Sequence, residues 1–126
     1  MGHYRFLAFY LISGILASLI YIYVSPRSTM PVIGSSGAIA GVMGAYYVMF
    51  PKARILTFIP IIIIPWFIEL PAFLFLGWWF LLQLFSETII MVLPVAGGGV
   101  AWWVHIGGFI AGIVLVFFFR QQKVRR

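Results

Sequence analysis

Apolar runs of about membrane-spanning length fill this chain, and they constrain its fold more than any other feature. Charged residues make up 8% of the 126 positions, and hydrophobic residues make up 64%. A water-soluble domain of this size needs more charge to cover its surface. A helix needs roughly 20 apolar residues to cross a bilayer, and several runs approach that length. The sequence therefore predicts an integral membrane protein that lies in the lipid bilayer.

Four transmembrane helices account for these runs most economically. We predict an all-α fold, a polytopic membrane helical bundle that forms one domain over residues 1–126. Pro60 and Pro65 interrupt the long apolar stretch in the middle of the chain, so residues 55–67 are predicted to be irregular. The four predicted spans cover about residues 6–24, 35–50, 68–86 and 105–119.

Basic residues lie at the ends of the apolar runs, and their distribution predicts the orientation. With four spans, the outer side holds only Arg27. Because Lys and Arg accumulate on the cytoplasmic side, both termini are predicted to be cytoplasmic, in the cell membrane if the source is prokaryotic. The basic residues form no stripe between aromatic side chains, which argues against a nucleic-acid partner. The residues on the predicted cytoplasmic side are Arg5, Lys52, Arg54, Arg120, Lys123, Arg125 and Arg126.

Glycine recurs at helical spacing on two of the predicted spans. Gly37, Gly41 and Gly44 are separated by four and three residues on the second span, and Gly108 and Gly112 by four on the last. Residues at these intervals share one face of a helix. Small residues at such a spacing let two helix backbones approach closely in a membrane. The spacing predicts that these two glycine stripes pack against each other.

A serine and a histidine lie near the predicted outer ends of the same two spans. Ser36 and His105 meet there if the glycine stripes pack together. A serine hydroxyl reacts only when a base takes its proton, and His105 is the one plausible base nearby. The chain has no aspartate, so the predicted arrangement is a Ser–His dyad, with backbone N–H groups around Ser36 and Gly37 stabilising an oxyanion. No metal or cofactor is expected, and cysteine is absent.

The same residues allow less specific interpretations. Glycine stripes in membrane helices mostly serve packing, and an intramembrane histidine can simply hydrogen-bond a carbonyl group. The alternative function is therefore a non-catalytic membrane protein that binds client helices. A small transporter or assembly subunit is a third class, but no charged residue lies deep in a predicted span to mark an ion route.

The sequence resembles the rhomboid family of intramembrane serine proteases. The resemblance covers essentially the whole chain and matches the last four spans of the rhomboid core. It is carried by GSSG at residues 34–37 with the following AIAGVMGAY, by HIGGFIAG from His105, and by FLAFYLISG and ELPAFLFLGWWFLLQLFS.

This resemblance implies specific roles and a substrate. Ser36 corresponds to the nucleophile, His105 to the general base, and Gly34 with the Ser36 backbone to part of the oxyanion site. The implied substrate is a transmembrane helix of another membrane protein. Rhomboids have two further upstream spans, the second with a His and an Asn thought to complete the oxyanion hole, and this chain contains no Asn. We therefore expect a truncated rhomboid domain, with a missing N-terminal portion as a further partner.

Overall fold

The computed structural model describes residues 1–27, 34–93 and 102–121, and most of them are helical. The basic tail beyond Gln121 and the glycine-rich segment 94–101 lie outside the described residues. The elements are α1 (His3–Val24), α2 (Gly34–Met49), β1 (Arg54–Ile61), β2 (Ile64–Pro71), α3 (Ala72–Val92) and α4 (Trp102–Phe119).

Helix α4 is the centre of the bundle. It packs against α1, α2 and α3, whereas α1 and α3 do not touch each other within the described residues. Three small clusters of buried apolar side chains follow one another along α4. Val104, Phe109 and Val116 each contribute to one of these clusters. The core is therefore a thin column of contacts around one helix.

Helices α2 and α4 run parallel to each other. Gly37 lies beside Val104 near the starts of the two helices, and Ala45 and Val116 share a buried cluster near their ends. Phe9, near the start of α1, belongs to that same second cluster, so α1 runs antiparallel to both. The starts of α2 and α4 therefore lie at the same end of the bundle.

The surface of α1 has the distribution expected of a helix that faces lipid. Its inner face is built largely from small residues, including Ser13, Gly14 and Ala17, and its outer face carries exposed large aliphatic side chains. Both α1 and α4 are apolar and long enough to cross a bilayer. Together with the composition of the chain, these two helices indicate a membrane protein. The exposed aliphatic side chains of α1 are Leu7, Leu11, Ile12, Ile15, Leu19, Ile22 and Val24.

Helices α2 and α3 contain shorter apolar segments than α1 and α4. Helix α2 has 16 residues, and at 1.5 Å per residue it spans about 24 Å, less than the ~30 Å hydrocarbon core. It is rich in Gly and Ala and packs against α1 and α4, so much of its surface meets protein rather than lipid. Helix α3 has 21 residues, and an apolar segment within it runs over Ala72–Ser86. Within the described residues only α1 and α4 meet the requirements for a span, so the four-span topology stays a prediction.

The prediction that residues 55–67 are irregular is wrong. Residues 55–67 belong to an antiparallel β-hairpin, so the fold is mostly helical but not all-α. The helix found here also has other bounds than the predicted third span of about 68–86. Residues 68–71 are the end of β2, and α3 begins only at Ala72, directly after Pro71, and continues past Ser86 to Val92.

Three prolines made the hairpin hard to predict, but the strand register accommodates all of them. Pro60 lies opposite Pro65, and Pro71 lies opposite the first residue of β1. In a hairpin with a two-residue loop, the pair next to the loop is hydrogen-bonded, and hydrogen-bonded and open pairs then alternate. This count puts all three prolines in open pairs, where the ladder needs no N–H group.

We predict that alanine at Gly112 destabilises the protein by about 1–3 kcal/mol, the usual cost of overpacking. A Cβ atom there would overlap the carbonyl oxygen of Gly41, and a backbone atom cannot rotate away. Gly77→Ala is the matched control, since its Cβ would meet only the ring of Tyr47 at 3.8 Å. Because alanine favours helix, this control should be neutral or slightly stabilising. Unfolding in mixed micelles measures both, and equal stabilities would contradict the packing described here.

Candidate functional site

The starts of α2 and α4 approach each other at backbone distance. A Cβ atom on Gly37 would stand 2.8 Å from Cγ1 of Val104 and 2.6 Å from Cβ of Ala17 on α1. A Cβ atom on Gly108 would overlap the carbonyl oxygen of Gly37. No side chain fits at these two positions, so the approach depends on glycine.

The same close contact continues along both helices. Gly41 lies against Gly112, and a Cβ atom on Gly44 would overlap the carbonyl oxygen of Phe109. Helix α1 also packs closely at this level, because a Cβ atom on Gly41 would stand 2.6 Å from the Cβ atom of Ser13. The structure thus brings the two glycine stripes together along their whole length.

This contact aligns Ser36 with His105. Ser36 directly precedes Gly37, and His105 directly follows Val104, so the Gly37–Val104 contact sets both at the same level of neighbouring parallel helices. Both residues are half-buried. The nucleophile and the base predicted from the sequence therefore lie at the same end of the bundle, on the two helices that approach most closely.

The two adjacent serines have different surroundings. Ser35 is exposed and lines an open apolar groove of about 450 Å³ between α1 and α2, together with Gly14 and Ser18. Since successive residues of a helix are rotated by about 100°, the neighbouring Ser36 points in another direction and does not line that groove. Gly34 lets this first turn approach α1 closely, since a Cβ atom on Gly34 would stand only 3.1 Å from Oγ of Ser18.

His105 is held by a polar contact from α3. Its Nδ1 lies 2.8 Å from Oε1 of Gln83. Two indole rings flank the imidazole, with ring centroids 6.0 Å away for Trp79 and 5.9 Å for Trp102. The polar contact with Gln83 and the two neighbouring indole rings fix both the position and the plane of the imidazole ring.

Gln83 and Trp79 are the site residues that sequence reasoning missed. Gln83 is 6% exposed and is one of two buried polar side chains among the described residues. The sequence could have pointed to Gln83, because it is an amide inside a long apolar run. Polar groups within the membrane are usually functional. Trp79 lies one helical turn before Gln83, so it reaches the same face of α3.

Among the side chains that the structure describes, Glu69 carries the one carboxylate, and it lies away from His105. The carboxylate of Glu69 pairs with Arg54 at 3.3 Å in the hairpin, at the far end of α2 from Ser36. Within the part of the chain that the structure describes, no cluster of His, Asp and Glu could hold a metal ion. The groups gathered here are a hydroxyl, an imidazole and an amide, which suit proton transfer and nucleophilic attack.

A family model described as the Rhomboid domain matches residues 1–122 of this chain. No curated protein and no solved structure matches it. The match covers all four helices and the hairpin. Rhomboid proteins are generally intramembrane serine proteases that act on membrane-protein substrates within the bilayer. Because this family model matches nearly the whole sequence, the chain belongs to the rhomboid family.

Proposed function

We propose that the chain is an intramembrane serine endopeptidase that cuts transmembrane segments of other membrane proteins. Ser36 is the nucleophile and His105 the general base of a Ser–His dyad. The observation that carries the proposal is the glycine contact between Gly37 and Val104, next to these two residues in sequence. Membership of the rhomboid family supports the same chemistry independently.

The reaction follows from the groups present. Nε2 of His105 accepts the proton of the Ser36 hydroxyl while Oγ attacks the carbonyl carbon of the scissile peptide bond. The resulting imidazolium then donates its proton to the departing amine, which leaves an ester on Ser36. A water molecule, deprotonated by the same imidazole, hydrolyses the ester and restores the hydroxyl.

The oxyanion of the tetrahedral intermediate is stabilised by the first turn of α2. The N–H groups of a first helical turn have no partner at position i−4, and the helix dipole favours negative charge there. Gly34 and Gly37 belong to this turn and add no side chain that would block a carbonyl oxygen from reaching it. Donors of this kind typically contribute about 10²–10³ in rate.

The proposed topology is multi-pass, with four spans and both termini in the cytoplasm. The direction of the helices puts Arg5, Lys52, Arg54 and Arg120 at one end of the bundle, whereas Arg27 follows the opposite end of α1. Such an excess of cations is typical of the cytoplasmic side. Gly2 and Gln121, the latter being the last residue that the structure describes, are also neighbours, since a Cβ atom on Gly2 would stand 3.9 Å from Nε2 of Gln121. Ser36 and His105 then lie toward the outer leaflet, near the outer end of a substrate helix.

A fluorophosphonate probe, which phosphonylates activated serines with loss of fluoride, tests the proposed nucleophile. We expect it to label the wild type in native membranes, and Ser36→Ala to abolish the label. Ser35→Ala is the matched control and should label normally, because Ser35 faces the groove between α1 and α2. Equal loss of label in both variants, or equal retention, would contradict the assignment of Ser36.

The same probe tests the proposed base. His105→Ala should slow labelling by about 10²-fold or more, because a general base contributes 10²–10⁴. The chain has one other histidine, His3, which is exposed at the start of α1, so His3→Ala is the control and should label like the wild type. No label in any form, together with co-purification of single-span proteins that Ser36→Ala leaves unchanged, would favour the non-catalytic, client-binding alternative. The absence of Asn from the chain is the feature that favours this alternative.

A further inference from the structure

The contact between Gln83 and His105 has a chemical consequence for the imidazole. The carboxamide oxygen Oε1 can only accept a hydrogen bond, so Nδ1 of His105, 2.8 Å away, carries the proton. The neutral ring then has its lone pair on Nε2. A base that takes a proton from a serine hydroxyl needs this tautomer, because the other one presents an N–H group that cannot accept.

The surroundings of Gln83 are suited to hold this bond. Its side chain is 6% exposed, and an amide buried in a membrane bundle is costly unless it is hydrogen-bonded. The helix that carries it is fixed to α4 by aromatic contacts one turn below, where Phe80 stacks on Phe109 at 4.8 Å and Trp79 lies 5.8 Å from the same ring. The position of α3 on α4 therefore determines whether the amide reaches His105.

We infer that Gln83 is a positioning residue that holds His105 in the Nδ1–H tautomer and directs Nε2 toward Ser36. The inference rests on the proposed function of Ser36 and His105. Gln83 does for the imidazole what a carboxylate does in a Ser–His–Asp triad, but it brings no charge into the bilayer. A neutral partner orients the ring and selects its tautomer without strongly stabilising the imidazolium that forms during the reaction.

Two substitutions separate orientation from mere packing. Gln83→Met keeps a long unbranched side chain but removes the acceptor, and it should slow fluorophosphonate labelling of Ser36 by about 10²-fold, near the low end of a general-base contribution. Gln83→Glu restores an acceptor oxygen and should recover most of the labelling rate. Ser86→Ala on the same helix is the control, because the hydroxyl of Ser86 donates to the carbonyl oxygen of Leu82 in its own helix. Equal labelling by Gln83→Met and wild type would overturn the inference.

The tautomer can be read directly, without any activity. In a His3→Gln background, ¹⁵N-histidine NMR reports on His105 alone, since the chain has only two histidines. We expect the Nδ1–H tautomer in the parent protein and its loss as the dominant form in Gln83→Met. An Nε2–H tautomer in the parent, or no change in Gln83→Met, would overturn the role of Gln83. If the expected spectra appear while the parent binds no probe, the proposed protease function fails and the orienting bond stands.

The β-hairpin supports a second inference, which does not depend on catalysis. Its loop residues Ile62 and Ile63 are 95% and 88% exposed, and Ile62 has a backbone φ of 56°. Such a turn normally holds Gly, Asn or Asp, because β-branched residues disfavour positive φ. Two exposed isoleucines at this turn are unfavourable in water and favourable in lipid.

The charged residues of the hairpin are confined to its base, away from the exposed isoleucines of the loop. Residues 55–68 contain no charged residue, whereas Lys52 and the Arg54–Glu69 pair stand at its base. Backbone hydrogen bonds from the N–H of Ala72 to the carbonyl oxygen of Ala53 at 2.7 Å, and from the N–H of Phe73 to that of Pro51 at 3.0 Å, tie this base to the junction of α2 and α3. In the four-span topology proposed above, the base lies where α2 ends and α3 begins, at the level of the lipid headgroups. The exposed apolar and aromatic side chains beyond it are Leu56, Phe58, Ile62, Ile63, Trp66 and Phe67.

We propose that the hairpin lies in the bilayer interface, with its tip in the acyl region of the leaflet on the side where α2 ends. Continuity with the membrane helices and cations placed only at the base argue for lipid as the occupant. A hairpin anchored in this way joins α2 to α3 and limits how far the start of α3 can move along the membrane.

Spin labels on single cysteines test this placement, because the chain has no native cysteine. Labels at Ile62→Cys and Ile63→Cys in reconstituted bilayers should collide more with oxygen than with a water-soluble nickel complex. A label at Lys52→Cys is the control and should show the reverse. Tip labels that match the Lys52 control would overturn the proposal, and dipolar broadening between tips of two molecules would assign the surface to a second copy instead.

Discussion

The backbone contact between α2 and α4 is the constraint on which the rest of the structure depends. Gly37 against Gly108 and Gly41 against Gly112 bring the two helices closer than any pair with side chains could approach. In lipid there is little hydrophobic drive to bring helices together, so close packing of this kind is a main source of association. Because the two helices are parallel, the contact also fixes which residues share a level at their starts.

The arrangement at His105 divides the work between two kinds of contact. Glycines on α2 set the distance to α4, whereas α3 approaches α4 with aromatic rings and one buried amide. The first contact is rigid, because backbone atoms meet backbone atoms. The second consists of side chains and includes the polar contact between Gln83 and His105. Displacement of α3 would therefore disturb the orientation of His105 before it disturbed the glycine contact.

The sequence was most informative at the small and polar residues that interrupt its long apolar runs. Glycines at intervals of three and four stand out among large apolar residues. Ser36 and His105 were predicted as a pair because each lies beside one of these glycine stripes, near the same end of its helix. The hairpin was missed because alternation cannot be seen where both faces are apolar, and its Ile62-Ile63 turn lacks the usual Asn-Gly signal. Gln83 was missed because its partner lies 22 residues away on another helix, which only the packing of α3 on α4 reveals.

The most direct test of the central claim is a crosslink between positions 36 and 105 in native membranes. In the cysteine-free chain, Ser36→Cys with His105→Cys should oxidise to a disulfide or react with a short bismaleimide, and the pair should then resist modification by maleimide-polyethylene glycol. The matched pair Ser35→Cys with His105→Cys should stay open to it. Efficient crosslinking of 36 with 105 alone is the predicted result. No crosslink, or equal crosslinking from both serine positions, would contradict the account.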